Sequence, residues 1–404
     1  LKIDRAEIPL DQIYRLAKRK DIDEKNRIEL FQLIIEKGNE DDLRYVLNQS
    51  KDIKILLALE EAAQVRNIKP SGDLTKDIES LLNNKLYTQQ VNVVAFNLAA
   101  SWKLDAMWDQ MVNYARFATD PVIQTAAIKC IEKLDSSEAI FIIENILASN
   151  PDNQIIAVAI EALVKIRIEK AATYSAQILT SQKVKKELVT ETVLPFLKHS
   201  EGSKFLAEAL EKKSVPIEVQ NIILELIAST GSDAPEITQL FIDPLKDTMC
   251  LPEYSKELVN ELLLDVEKLG NSEKGKTVYN TVAISCAACH KVDNNGSDIG
   301  PELSAIGSSM PTNFIIESIL WPQKDIKEGY LSTTITTKDG NIIRGYIKEK
   351  ENGKLQVLDF TSKEIVSIHK VNIAEQRDAG SAMPNGIVAT FSKQQFIDLV
   401  AYLK

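Results

Sequence analysis

Apolar residues return at helical spacing through much of the first 230 positions, and they do so with a fixed longer repeat. The segments Ala95-Phe96-Asn97-Leu98-Ala99-Ala100, Ala127-Ile128-Lys129-Cys130-Ile131-Glu132 and Ala159-Ile160-Glu161-Ala162-Leu163-Val164 start 32 residues apart. Thr192 to Leu197 and Ile223 to Ala228 continue the register. A period of this size predicts stacked helical hairpins, because one hairpin cannot bury its apolar face without a neighbour. Asp120-Pro121-Val122 and Asn150-Pro151-Asp152 supply the capping side chain and the first-turn proline that open helices. Between them Ser137 to Glu144 reads as the second helix of a hairpin. Residues 5–84 are helical by pattern too, with Ile28, Leu30, Phe31, Leu33 and Ile34 on one face, in the blurred register expected of terminal repeats.

The repeats end among Pro235, Pro244 and Pro252, and a further helix from about Ser255 to Leu269 stops at Gly270. The reading is a solenoid over 1–267 and a second domain over 268–404. Within the second domain the period changes to two: Leu331 to Thr337, Ile342 to Ile347, Leu355 to Phe360 and Ile365 to Ile368 alternate as strands do, with hairpin turns at Asp339-Gly340 and Glu351-Asn352-Gly353. A small antiparallel sheet is therefore expected near 331–370, inserted in a mainly α chain.

Composition narrows the class. With 404 residues, 44% hydrophobic and 26% charged, the chain has material for more than one packed core. No stretch approaches the roughly 18 uninterrupted apolar residues of a membrane span. A net charge of -10 argues against nonspecific nucleic-acid binding, which needs a basic surface. The sequence begins at Leu1 with no basic and apolar leader, so any export signal is expected to be removed or to lie upstream.

The chemistry concentrates in Cys286-Ala287-Ala288-Cys289-His290, the C-x-x-C-H pattern of c-type haem attachment. Two cysteines at this spacing can form thioethers to both vinyl groups of one porphyrin, and the next histidine can reach the iron. The rival readings are a redox C-x-x-C, half of a zinc site, or coincidence. Zinc would want a further Cys or His pair, and Cys130, Cys250, His199 and His369 stand singly. A thioredoxin-like motif would want a βαβ surround that the sequence lacks.

The flanks resemble a class I cytochrome c domain. Gly275-Lys276-Thr277-Val278-Tyr279 is similar to the helix that precedes the haem motif there, and Gly300-Pro301-Glu302-Leu303 to the turn that follows it. Ser381-Ala382-Met383-Pro384-Asn385-Gly386, then a helix from about Ser392 to Leu403, resembles the Met-Pro loop and closing helix. The resemblance implies one covalent haem c held by Cys286 and Cys289, iron bound by His290 and Met383, and a Pro301 carbonyl that orients the histidine. Met310 and His369 are the rival sixth ligands. The repeats resemble the HEAT type. Repeats, haem motif, Trp321-Pro322, Gly329-Tyr330 and Met-Pro loop together resemble the haem-binding C-terminal domains of large exported bacterial dehydrogenase-like proteins, often preceded by a sugar-dehydrogenase propeller. That resemblance implies a periplasmic or cell-envelope electron carrier between a dehydrogenase module and a respiratory carrier; with no cofactor motif for substrate oxidation in the sequence, the chain is expected to be an electron-transfer domain or a fragment of a dehydrogenase rather than a self-sufficient enzyme. Alternatives are a haem sensor or peroxidase with a displaceable sixth ligand, and an interaction scaffold built on the solenoid.

The remaining candidates read as structural. Cys130 falls on an apolar helix face, too far along the repeats from Cys250 for a bridge. His199, at a helix end, is expected to be a capping cation. Trp102, Met107, Trp108 and Met111 have the spacing of one helix face and are expected to pack.

Overall fold

The computed structural model describes residues 8–84, 86–134, 137–149, 151–181, 183–232, 234–241, 253–281, 286–351, 353–383, 387 and 392–404. Cys250, Pro244, Pro252 and Pro384 to Gly386 lie outside the described residues. Two compact units emerge, Leu1–Ile166 and Arg167–Lys404, so the change in sequence character near residue 268 falls inside the second.

The first unit is helical throughout the described residues, from Leu10–Ala17 to Asn153–Ile166. Alternate helices lie side by side: Gln89–Ser101 on Pro121–Lys133, and that helix on Asn153–Ile166. Small residues allow the close approach, and Ala95, Ala127, Ala159 and Leu163 are fully buried. Lys129 and Lys165 reach across to Glu161 and Glu132, each at 3.5 Å, where burial raises the Glu132 carboxyl. Asp120 caps its helix by accepting from the Val122 amide, ahead of Pro121 in the first turn. Cys130 is buried, and loss of hydration pushes its thiol up to about 12. Trp102, Met107 and Met111 are buried as expected, but on three consecutive pieces of chain: Trp102 ends one helix, Met107 sits in the short 3-10 turn Asp105–Met107, and Met111 lies in Trp108–Phe117.

The second unit opens with the same alternation, Ile168–Leu179 against Gly202–Leu210 and Lys186–Leu197 against Ile217–Ser229. Helix Lys256–Leu269, capped by Ser255 and closed at Gly270, then packs on Thr312–Leu320 and on the C-terminal helix Lys393–Leu403. That C-terminal helix crosses Ser272–Tyr279 at glycine distance: a Cβ on Gly275 would fall 1.9 Å from the Asp398 carbonyl oxygen. The crossing is fixed by Asp398, whose buried carboxylate accepts from the Asn271 amide at 2.9 Å.

Strands β1 (Lys291–Val292) and β2 (Asn295–Gly296) form a two-residue ribbon turned by Asp293 and Asn294, both at positive φ as a type I′ turn requires. The larger sheet comprises β3 (Leu331–Thr337), β4 (Ile342–Glu351), β5 (Lys354–Asp359), β6 (Ile365–His369) and β7 (Ile373–Ser381). It is antiparallel in the order β6-β5-β4-β3-β7. One face buries Ile335, Leu355, Val357 and Ile368, and the other carries Tyr346 and Phe360.

This sheet is fastened to the helix Lys186–Leu197. The Ile342 amide donates to the Lys198 carbonyl, and the Arg344 guanidinium donates to the Leu197 carbonyl at 2.9 Å and to Ser232 Oγ at 3.4 Å. The helix therefore finds its terminal cation in Arg344. His199, expected to be that cation, instead accepts a hydrogen bond at Nδ1 from the Glu201 amide, and partial burial lowers its pKa toward the neutral ring.

Candidate functional site

The site begins with a single helical turn, Cys286–Cys289, followed at once by His290, whose amide donates to the Cys286 carbonyl at 2.8 Å. One turn places both sulfurs and the imidazole on neighbouring faces of the same short element. Cys286 packs against the helical core that contains Val278, Ile316, Phe396 and Val400. Cys289 packs instead against Ile299, Tyr346 and Phe360, so the two cysteines stand on opposite apolar walls, one of helices and one of sheet. Both are free thiols, and burial pushes Cys286 up to about 12 and raises Cys289 as well. Among the described residues no group of three or more His, Cys, Asp or Glu is arranged to hold a metal ion.

His290 is oriented by Pro301, with Nδ1 at 2.8 Å from the Pro301 carbonyl oxygen. A carbonyl can only accept, so Nδ1 carries the proton and Nε2 keeps a free lone pair. Burial lowers the pKa of the ring, and the bond to Pro301 opposes this only in part. Gly300 makes room: a Cβ there would stand 2.7 Å from His290 Cε1 and 2.8 Å from Nδ1. Gly296, at φ +123°, performs the same service on the backbone side, where a Cβ would fall 2.0 Å from the His290 carbonyl oxygen. That carbonyl accepts from the hydroxyl of the buried Tyr279 at 2.8 Å. The histidine is thus held at its ring and at its backbone.

Met383 lies just after β7, half-buried against the same helical core as Cys286, and its amide donates to Ser381 Oγ at 3.2 Å. Ala382 packs with Tyr346 and Phe360 on the Cys289 side. Of the rival ligands, Met310 is 42% exposed, and His369 ends β6 on the outer part of the sheet. Cys286, Cys289, His290 and Pro301 therefore come together around one turn, and Met383 packs on the helical core that also receives Cys286. The residues fit a haem c: two free thiols one helical turn apart, an imidazole with a free Nε2, a thioether on the Cys286 side, and apolar walls.

A cavity of about 450 Å³ opens on the outer side of the turn, lined among others by Ala287, Ala288, Leu194, Leu226, Phe360 and Lys363. The sequence pointed to the cysteines, histidine, proline and methionine. It gave no sign of Phe360, Tyr346 or the helix residues Leu194 and Leu226, which arrive from distant segments. Tyr279 and Gly300 stood inside the quoted motifs, yet their contacts with His290 depend on the folded turn.

The cytochrome c family model matches residues 272–351, a span that holds Cys286, Cys289, His290 and Pro301 and stops short of Met383. The chain therefore carries a cytochrome c domain, the class of protein that moves electrons through haem, behind a mostly helical N-terminal region. No curated protein matches the chain. Among the described residues no helix is long and apolar enough to cross a membrane.

Proposed function

We propose that this is an exported, periplasmic or cell-envelope electron-transfer protein with one covalently attached haem c. It accepts electrons from a dehydrogenase module and passes them to a respiratory carrier. The observation that carries the reading is the 2.8 Å contact between His290 Nδ1 and the Pro301 carbonyl beside two half-buried free cysteines. Bound at this place, haem supplies reversible one-electron storage on iron. Cys286 and Cys289 would each add a thiol across a vinyl group, leaving two thioethers and no free charge. His290 presents Nε2, and Pro301 fixes the plane of the ring so that the nitrogen stays aimed. Met383 would supply a thioether sulfur, which favours the reduced state relative to a second histidine.

With His290 and Met383 both holding the iron, electron transfer would ask for little rearrangement, and the clusters around Phe396 and Phe360 would give the group apolar surroundings. This reading assigns the chain no bond-making catalysis. The helical region would set the distance and direction of approach for partner proteins. The first test is chemical: protein made with a c-type maturation system, denatured and extracted with acid acetone, should keep its colour in the pellet. Haem recovered in the solvent would overturn covalent attachment, and variants Cys286→Ser and Cys289→Ser together should release it.

A further inference from the structure

The turn between β5 and β6 carries a charged side chain to an unusual place. Asp359, buried at the end of β5, accepts from the Thr361 amide at 3.2 Å and the Ser362 amide at 3.0 Å, while its own carbonyl accepts from the Lys363 amide at 2.8 Å. This clamp holds Lys363 at φ +60°, a conformation that glycine adopts freely and a long side chain adopts at a cost. Strain kept at one residue of an otherwise ordinary hairpin points to a use for that residue. The use is suggested by its neighbours. Phe360, in the same turn, packs in the cluster that receives Cys289, and Lys363 lines the cavity whose other wall is Ala287 and Ala288.

Lys363 has no ion pair or side-chain hydrogen bond among the described residues, whereas Glu225 on the same cavity is occupied by Lys186 at 2.9 Å.

We propose that Lys363 tunes the reduction potential, by holding an uncompensated positive charge at the Cys289 thioether edge of the haem. The proposal rests on the reading of haem attachment given above. Reduction adds one negative charge to the iron and porphyrin, so a fixed cation nearby stabilises the reduced form and raises the midpoint. Because the cavity is open and Lys363 is exposed, the effect weakens as salt screens it, over about 10 Å at 0.1 M ionic strength. The same cation faces any donor or acceptor approaching by way of Ala287 and Ala288, which makes Lys363 a tuning residue rather than a ligand.

The experiment is a spectroelectrochemical titration of the full-length, haem-loaded chain at low and high ionic strength, comparing wild type with Lys363→Gln, Lys363→Glu and Lys363→Arg. A pyridine haemochrome assay is run first on each. The expected result is an unchanged haem content, a midpoint lowered in Lys363→Gln, lowered further in Lys363→Glu, and restored in Lys363→Arg, with all differences shrinking in high salt. Equal midpoints for wild type and Lys363→Glu at low salt, with haem present, would overturn the proposal. A shift that salt leaves untouched would also overturn it, since it would report a rearranged turn and not a charge. Absence of covalent haem in the wild type would defeat the underlying reading instead, and the assay separates the two failures.

Discussion

His290 Nδ1 stands 2.8 Å from the carbonyl oxygen of Pro301, and the residue just before that proline, Gly300, has no side chain because the imidazole occupies its place. The ring is thus fixed by a hydrogen bond on one nitrogen and by a shape match at the adjacent carbon. Gly300→Ala would bring a methyl group inside contact distance of both Cε1 and Nδ1, and overpacking of this kind costs roughly 1–3 kcal/mol. The expected outcome is a loss of thermal stability of that order together with a weakened iron–histidine bond. Melting curves and the absorption spectrum of Gly300→Ala would check it, and a wild-type spectrum with wild-type stability would count against the packing described.

Met383 shares its core with Cys286 but not the residue span that matches the cytochrome c family model. Replacement by alanine should abolish the weak far-red band of ferric iron–thioether bonding, open the sixth position to carbon monoxide in the reduced protein, and lower the midpoint. Axial ligands move haem potentials over a range of about 0.8 V, so the fall should be large beside any surface-charge effect. If Met383→Ala leaves the band in place, the sulfur belongs to another methionine.

Arg344 joins the sheet to the end of helix Lys186–Leu197 through the Leu197 carbonyl. Arg344→Ala removes a charge-assisted bond and uncovers a helix terminus, a loss of roughly 1.5–3 kcal/mol for bonds to charged groups. Denaturant unfolding should register that loss, and amide exchange should quicken in both the β3–β4 hairpin and residues 186–198. Quickening on only one side would mean that the two parts are not coupled there.

The pH response of the same joint follows from His199. Its pKa is lowered in the folded protein by burial, so the unfolded chain binds the proton more readily. Stability from the neutral ring is present above the unfolded value, near 6.5, and is lost as pH falls through that value toward the folded one. Partial exposure limits the effect to a few tenths of a kcal/mol, on the scale of screened surface interactions. Thermal midpoints measured from pH 7.5 to 5.5 should fall less steeply in His199→Gln than in wild type; parallel curves would remove His199 from the account.

Much of this molecule is legible in its sequence where local pattern and buried face agree. The 32-residue spacing of Ala95, Ala127 and Ala159 reads as helix stacking because those positions sit where backbones approach, and the cysteine and histidine spacing reads as a site because one helical turn suffices to assemble it. Strand β7 went unread for the opposite reason. Its residues Ala374 to Asp378 are mostly polar on both faces, as an exposed edge strand permits, so no alternation marks them. The ribbon β1–β2 is too short to carry a pattern at all. His199 was misread because the cation that its helix end needs comes from Arg344, far along the chain, and no local signal announces a partner of that kind. Phe360 and Lys363 reach Cys289 and the cavity beside Ala287 through sheet topology, which residue spacing does not encode.

The pairing of β3 with β7 has a consequence for how such a domain can change. Leu331 opposes Ser381, so the polypeptide enters and leaves the sheet at adjacent points. Chain closure entropy depends on the separation of the ends that must meet, and here those ends meet within the sheet itself. To the haem motif the whole excursion is equivalent to a short connection. The histidine-to-methionine interval is therefore free to lengthen or contract beyond this stem, provided that Phe360 still reaches Cys289 and Arg344 still reaches Leu197.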